Sequence, residues 1–163
     1  MQVLVVADTH IPERASKIPE EFWKKVSQQE TILHAGDFTD LAVLRELEKR
    51  AKQVYAVWGN MDGGEVRKAL PEKQMIDIGD FRIGMYHGSG PPQGLEEKVY
   101  RMFPEGLDAI VFGHSHSPYN KKIKKTLMFN PGSISWNQSG PPTYGILHLE
   151  KEAVWGEIVE IKT

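Results

Sequence analysis

The chain predicts an α/β fold on three observations. Short β-branched or aromatic runs alternate with helix-like stretches through the first half, strands dominate the second half, and five of the runs end in a short polar motif. The runs cover residues 3–7, 31–35, 54–58, 81–86 and 109–112. Behind them stand Asp8-Thr9-His10, Gly36-Asp37, Gly59-Asn60, His87-Gly88 and Gly113-His114-Ser115-His116. Each run is bounded by glycine or a polar residue, as a buried strand is. Side chains that follow successive strands of one sheet emerge along one rim, where open α/β sheets keep their sites.

The elements follow in order. After the first strand Ile11-Pro12 breaks the chain, and Pro19-Glu20-Glu21 opens a helix that runs to about Gln28. Asp40 caps a helix through about Arg50, with Leu41, Leu44 and Leu47 on one face. Asp62-Gly63-Gly64-Glu65 reads as a capping box opening a short helix that Pro71 ends. Residues 74–78 and 81–86, joined through Gly79-Asp80, predict a hairpin. A helix from about Gly94 to Phe103 brings Leu95, Val99 and Met102 together. Strands at 119–123 and 127–129 flank a lysine-rich turn, and 144–149 with 153–161 form a closing hairpin. Ser-Gly-Pro-Pro recurs at 89–92 and 139–142 as two loops of the same turn chemistry.

The bulk numbers narrow the function. At 163 residues the chain is most simply one domain, 1–163, long enough to bury a core. A net charge of −2 argues against a dedicated nucleic-acid binder, but leaves room for a phosphate substrate whose charge metal ions would balance. With no cysteine, disulfides, a thiolate nucleophile and cysteine-ligated zinc are excluded. The first apolar run lacks the basic lead and length of a signal peptide, and no stretch is long enough to span a bilayer. The expected location is cytoplasmic.

The polar motifs carry metal-ligand chemistry. Asp8 and His10 lie two apart and would share a side of an extended stretch, as would His114 and His116. Asp37 follows Gly36, whose sharp turn leaves the carboxylate free to bridge two cations, and Asn60 offers a neutral amide oxygen. With His87 there are seven donors, more than one four-coordinate structural zinc would use. Two ions bridged by Asp37 use them better, as in sites where ions about 3.5–4 Å apart clamp a phosphoryl group. Any one of these residues alone is more often a cap or a hydrogen-bonded side chain. Together they point to a functional cluster.

The order Asp-x-His, Gly-Asp, Gly-Asn-x-Asp, His-Gly, Gly-His-x-His resembles the calcineurin-like metallophosphoesterase superfamily. Asp8-Thr9-His10-Ile11-Pro12, His87-Gly88-Ser89-Gly90-Pro91-Pro92 and Asn130-Pro131-Gly132-Ser133 resemble its small single-domain bacterial and archaeal phosphodiesterases, a branch related to a retromer subunit. The likeness runs from residue 3 to about 149. It implies a four-layer α/β/β/α sandwich of two mixed β-sheets flanked by helices. It implies one metal held by Asp8, His10, Asp37 and His116 and a second held by Asp37, Asn60, His87 and His114. Asp37, Asn60 and His87 would then be catalytic, with hydroxide held between the ions attacking phosphorus in line. The donors suit Mn²⁺ first, with Fe²⁺, Co²⁺, Ni²⁺ and Zn²⁺ also open. The implied partner is a small phosphodiester, nucleotides and cyclic nucleotides included, and a homo-oligomer is open. The alternatives are a phosphomonoesterase and a non-catalytic interaction scaffold on the same fold. The complete donor set favours the enzyme, because scaffolding gives no reason to keep it.

Two positions depart from the family pattern. Many members follow the motif asparagine with a histidine that protonates the leaving group; here stands Met61. A thioether has no proton to give, and general acid catalysis is worth roughly 10²–10⁴-fold. Asp62 then reads as a helix cap. Ser89 replaces a second histidine, and both changes suit good leaving groups or strained diesters. Outside the cluster, His34 reads as a partly buried structural residue and His148 as solvent-facing. Lys121, Lys122, Lys124 and Lys125 read as a protected sheet edge. Trp23, Trp58, Trp136 and Trp155 read as core or sheet-packing residues, Trp58 beside the site wall. The loops at 130–133 and 140–144 border the pocket without assigned chemistry.

Overall fold

Two five-stranded mixed sheets lie face to face in the computed structural model, which describes residues 1–12, 15, 17–26 and 31–162. In chain order the elements are β1 (Gln2–Val6), α1 (Glu20–Val26), β2 (Thr31–His34), α2 (Leu41–Arg50), β3 (Gln53–Ala56), α3 (Gly64–Ala69) and β4 (Lys73–Ile78). They continue with β5 (Phe81–Tyr86), α4 (Leu95–Tyr100), β6 (Ala109–Val111), β7 (Tyr119–Ile123), β8 (Thr126–Asn130), β9 (Thr143–Glu150) and β10 (Ala153–Glu160). The first sheet has the order β10-β9-β1-β2-β3, the second β4-β5-β6-β8-β7. Strands β1, β2 and β3 are parallel, as are β5, β6 and β8, while antiparallel pairs complete each sheet.

Both faces of β1 are covered, which is why its sequence is a continuous apolar run. Val3 and Val5 enter the core between the sheets, whereas Leu4 and Val6 face the helices. On that outer side α1, α2 and α3 contribute Phe22, Val26, Val43, Leu44, Leu47 and Val66. Asp40 caps α2 as expected, accepting from the Ala42 N–H at 2.8 Å. Across the molecule α4 lays Leu95 and Val99 on the second sheet, against Tyr86, Phe112 and Met128. The result is the α/β/β/α sandwich. No helix among the described residues is long and apolar enough to cross a membrane.

The two sheets interlock at one ring. Phe129 on β8 is fully buried, and a Cβ added at either Gly145 or Gly156 would collide with it. The glycines of β9 and β10 therefore form a notch that admits the ring from the opposite sheet.

Several expectations change in the folded chain. Gln28 lies outside the described residues, and α1 is described to Val26. The third strand is Gln53–Ala56, so Trp58 lies beyond it, its N–H donating to Pro71 O at 3.0 Å. Met102 falls past the end of α4 and is exposed. His148 is buried, stacked on Trp155 at 3.7 Å, with Nε2 3.0 Å from Glu157 Oε2. Its strand β9 lies between β1 and β10 with both faces covered, so alternation with leucines does not signal exposure. Trp155 and Trp136, expected as core or sheet-packing residues, are 46% and 43% exposed, and Trp155 packs on the sheet through His148. Edge strand β7 carries exposed Lys121 and Lys122, and Lys124 Nζ pairs with Glu105 Oε1 at 2.7 Å, in keeping with a protected edge.

Removing the interlocking ring is expected to destabilise the fold. Phe129→Ala should lower the unfolding free energy in urea by about 3–5 kcal/mol, since the glycine notch has no side chain to refill it. A loss below about 1 kcal/mol would mean that the sheets close over the gap.

Candidate metal centre

The donor motifs follow β1, β2 and β3 of the first sheet and β5 and β6 of the second. The rim expected along one sheet is thus a junction between two. At that junction the backbone abandons extended geometry. Asp8, His10, Asp37, His114 and His116 have φ of 52°, 45°, 62°, 71° and 52°. A non-glycine residue held there costs on the order of 1–3 kcal/mol and marks a constrained site. Asp8 therefore meets His10 through a left-handed turn and not through the alternation of a strand, and His114 and His116 lie on a second such turn.

Two trios result, Asp8–His10–His116 and Asp8–Asp37–His87, each with ligand atoms within 4.8 Å of one another. Asp8 Oδ1 lies 3.6 Å from His10 Nε2, 3.5 Å from His116 Nε2 and 3.7 Å from His87 Nε2. Asp37 Oδ2 lies 3.4 Å from His10 Nε2 and 3.1 Å from His87 Nε2. All five side chains are buried. Yet Asp8 Oδ1, both ring nitrogens of His10 and His87 Nε2 have no hydrogen-bond partner. Unsatisfied buried polar atoms are rare, and here His10 Nε2 and His87 Nε2 both lie within 3.7 Å of Asp8 Oδ1. A divalent cation satisfies such oxygen and nitrogen donors.

The imidazoles are aimed for that task. His87 Nδ1 lies 2.7 Å from Ala35 O, and His116 Nδ1 lies 2.9 Å from Trp136 O. A ring N–H donated to a carbonyl at Nδ1 turns the Nε2 lone pair toward the centre, the usual second contact of a metal-binding histidine. Asn60 and His114 form a pair beside the trios, the His114 ring centroid 5.4 Å from that of His87. Asn60 Oδ1 lies 3.0 Å from His114 Nδ1, and His114 Nε2 lies 2.8 Å from Gly90 O. Five of the seven expected donors form the two trios, and the Asn60–His114 pair adjoins them through the His87 ring.

Electrostatics agree with a cation site. Burial alone would lower the His87 imidazole, but the charges of Asp8 and Asp37 outweigh it and raise the group to about 9. Burial would raise the Asp37 carboxyl, but contact with His87 and the Met61 N–H hold it down to about 2. The same field that keeps a proton on His87 favours any cation that replaces it.

Buried groups behind the donors fix their loops. Asp62, expected to cap a helix, does not: the cap of α3 is Gly63. Asp62 instead accepts from the N–H groups of Asp37 at 2.9 Å, Thr39 at 2.8 Å and Gly59 at 2.8 Å. It ties the loop after β2 to the loop after β3, a contact across chain distance that local spacing does not reveal. Burial pushes its carboxyl up against the pull of those N–H groups. A Cβ on Gly59 would collide with Asp37 Oδ1, and one on Gly36, at φ 100°, would sit 2.8 Å from His87 Nδ1. The glycines of both motifs are room for donors.

His34 is structural, but fully buried instead of partly so. It stacks on Phe38 at 3.5 Å, its Nδ1 accepts the Gly36 N–H at 3.0 Å, and burial drives its pKa down to about 3. Ser133 Oγ donates to Asp8 O at 2.7 Å, and Asn130 Nδ2 donates to Gly113 O at 3.0 Å. The sequence reading placed the loop 130–133 at the pocket border without a task. Its task is to pin the loops after β1 and β6.

Fold and centre together define a phosphoesterase-type metal site. The profile of the calcineurin-like phosphoesterase superfamily domain matches residues 1–152, and the chain belongs to that superfamily. The chain is 36% identical over 160 residues to the "Probable metallophosphoesterase" of Methanothermobacter thermautotrophicus, covering 98% of this chain and 92% of the relative. It is 31% identical over 166 residues to a phosphodiesterase of Methanocaldococcus jannaschii, covering 93% and 95%. Among solved structures, wild-type Vps29 of Entamoeba histolytica complexed with Zn²⁺ aligns with a TM-score of 0.75 at 26% identity, covering 98% of this chain and 99% of that one.

His34 carries a pH signature. Its folded pKa of about 3 lies below the ordinary 6.5, so below pH 6.5 the unfolded chain binds the extra proton. Its contribution is complete above pH 6.5 and is lost as pH falls toward 3. Between pH 6.5 and 4.5 the metal-free protein should lose about 2–3 kcal/mol through this group. His34→Gln, which keeps an acceptor for Gly36, should flatten that limb in urea titrations. An unchanged slope would mean that His34 takes up a proton while folded.

Proposed function

We propose that this chain is a metal-dependent phosphodiesterase acting on small phosphodiesters, nucleotides among them, with two divalent ions as cofactors. The observation that carries the reading is the convergence of Asp8, His10, Asp37, His87 and His116 with their unpartnered buried atoms. The archaeal relative named a phosphodiesterase favours diesters.

Asp8, His10, Asp37 and His116 would hold one ion, and Asp37, Asn60, His87 and His114 the other. When bound, the ions would supply positive charge to the phosphoryl oxygens and bring a water to deprotonation near neutral pH. The Ala35 and Trp136 carbonyls keep Nε2 of His87 and His116 turned inward. Asp62 and Ser133 hold the backbone of the two carboxylate residues. Asn60 and His114, paired at 3.0 Å beside His87, would complete the second ligand set.

Met61 shapes the leaving-group requirement. Its N–H donates to Asp37 Oδ1 at 2.8 Å, and its side chain is 50% exposed. A thioether gives no proton, so esters whose alcohols leave as stable anions are the natural fit.

Metal-stripped protein reloaded with Mn²⁺, Ni²⁺ or Zn²⁺ and assayed on mono- and diester panels tests the reading. Diester turnover is expected to lead, and no turnover with any metal would move the assignment to a scaffold on this fold. Asp37→Ala is expected to cut kcat/KM about a hundredfold or more and to lower bound metal, measured by elemental analysis. Full metal content with retained turnover would remove Asp37 from the site. Met61→His is expected to speed hydrolysis of alkyl esters about tenfold while changing nitrophenyl esters less. Equal effects on both would argue against a missing general acid.

A further inference from the structure

Six large apolar side chains are exposed among the described residues, and two of them, Met61 and Trp136, stand on loops tied directly to metal-centre donors. Met61 borders one trio through its N–H on Asp37. Trp136 borders the other: its ring centroid lies 5.6 Å from that of His116, and its carbonyl receives the His116 Nδ1–H. Its backbone is held firmly. The Trp136 N–H donates to Ser133 Oγ at 2.9 Å, and Ser133 Oγ donates in turn to Asp8 O at 2.7 Å. Asn137 Oδ1 accepts the Ser133 N–H at 2.6 Å, while its Nδ2 donates to Pro141 O at 2.7 Å.

The indole is 43% exposed, and the network around its backbone fixes where the residue stands relative to Asp8 and His116. A flat aromatic face held one imidazole away from a phosphoryl site has a natural complement. That complement is a planar ring joined to phosphate through a short linker, as a nucleobase is through its sugar. Stacking of a base on an aromatic side chain is sequence-tolerant and strong enough to select such a ligand. A pre-organised platform also avoids the ordering cost that a mobile side chain would bring.

We propose that Trp136 is a specificity-determining platform on which the nucleobase of a nucleoside phosphodiester stacks while its phosphoryl group lies at the Asp8–Asp37–His116 centre. The placement of the phosphoryl group rests on the phosphodiesterase reading; the group beyond it is what Trp136 adds.

The test is equilibrium binding of thymidine 5′-methylphosphate and of dimethyl phosphate to the Mn²⁺-loaded protein, by titration calorimetry. The wild type is expected to prefer the thymidine ester, and W136A to lower the ratio of the two affinities about tenfold, with W136F keeping most of it. Thymidine ester should also quench tryptophan fluorescence in the wild type, and that part of the quench should vanish in W136F. An unchanged affinity ratio in W136A overturns the platform, as does an identical quench in W136F or a wild type without preference. Hydrolysis of both esters is followed separately. Loss of preference in W136A without hydrolysis by the wild type would sink the phosphodiesterase reading and leave the platform standing.

Discussion

Two buried carboxylates facing three buried imidazoles across 3.1–3.7 Å set the terms for everything around them. A buried charge without compensation is strongly destabilising, and Asp8 and Asp37 are both buried. They are tolerated because each faces a group that carries a cation or takes its place. His87 shows the effect in its raised pKa, and Asp37 shows it in its lowered one. The left-handed backbone of the donor residues, the glycines that leave them room and the network behind them all serve to hold these carboxylates in register.

The fold reaches that arrangement by packing two sheets face to face so that their strand ends share one edge. Parallel strands in each sheet deliver their following loops to the same end, so loops far apart in sequence meet. Phe129 in the glycine notch fixes how the two sheets face each other, and with it the distance between Asp8 of one sheet and His87 of the other. Asp62, His34, Asn130 and Ser133 then join loop to loop. The donors are few, and the residues that hold them are spread across the chain.

Much of this was legible before folding. Apolar runs with abrupt polar ends located the strands to within a residue or two, because a buried strand needs both its apolar content and a turn to leave the sheet. The donor motifs were legible because aspartate, histidine and asparagine behind such runs have chemistry in common. What misled was local spacing read as local geometry. Asp62 looked like a cap because Glu65 stands three residues on, yet its carboxylate serves one N–H in its own loop and two in the loop after β2. His148 looked exposed between leucines, yet its strand is covered on both faces.

The sequence by itself determined the element order, the family and the identity of the donors, since each depends on residue types in a short stretch. Only the tertiary structure decided how the donors divide. Five form two trios that share Asp8, while Asn60 and His114 pair with each other beside His87. It also decided that Trp136 stands half-exposed beside His116. The physical reason is common to both. A side chain's environment is set by whichever distant loops the sheets bring against it, and those loops enter no window of neighbouring residues.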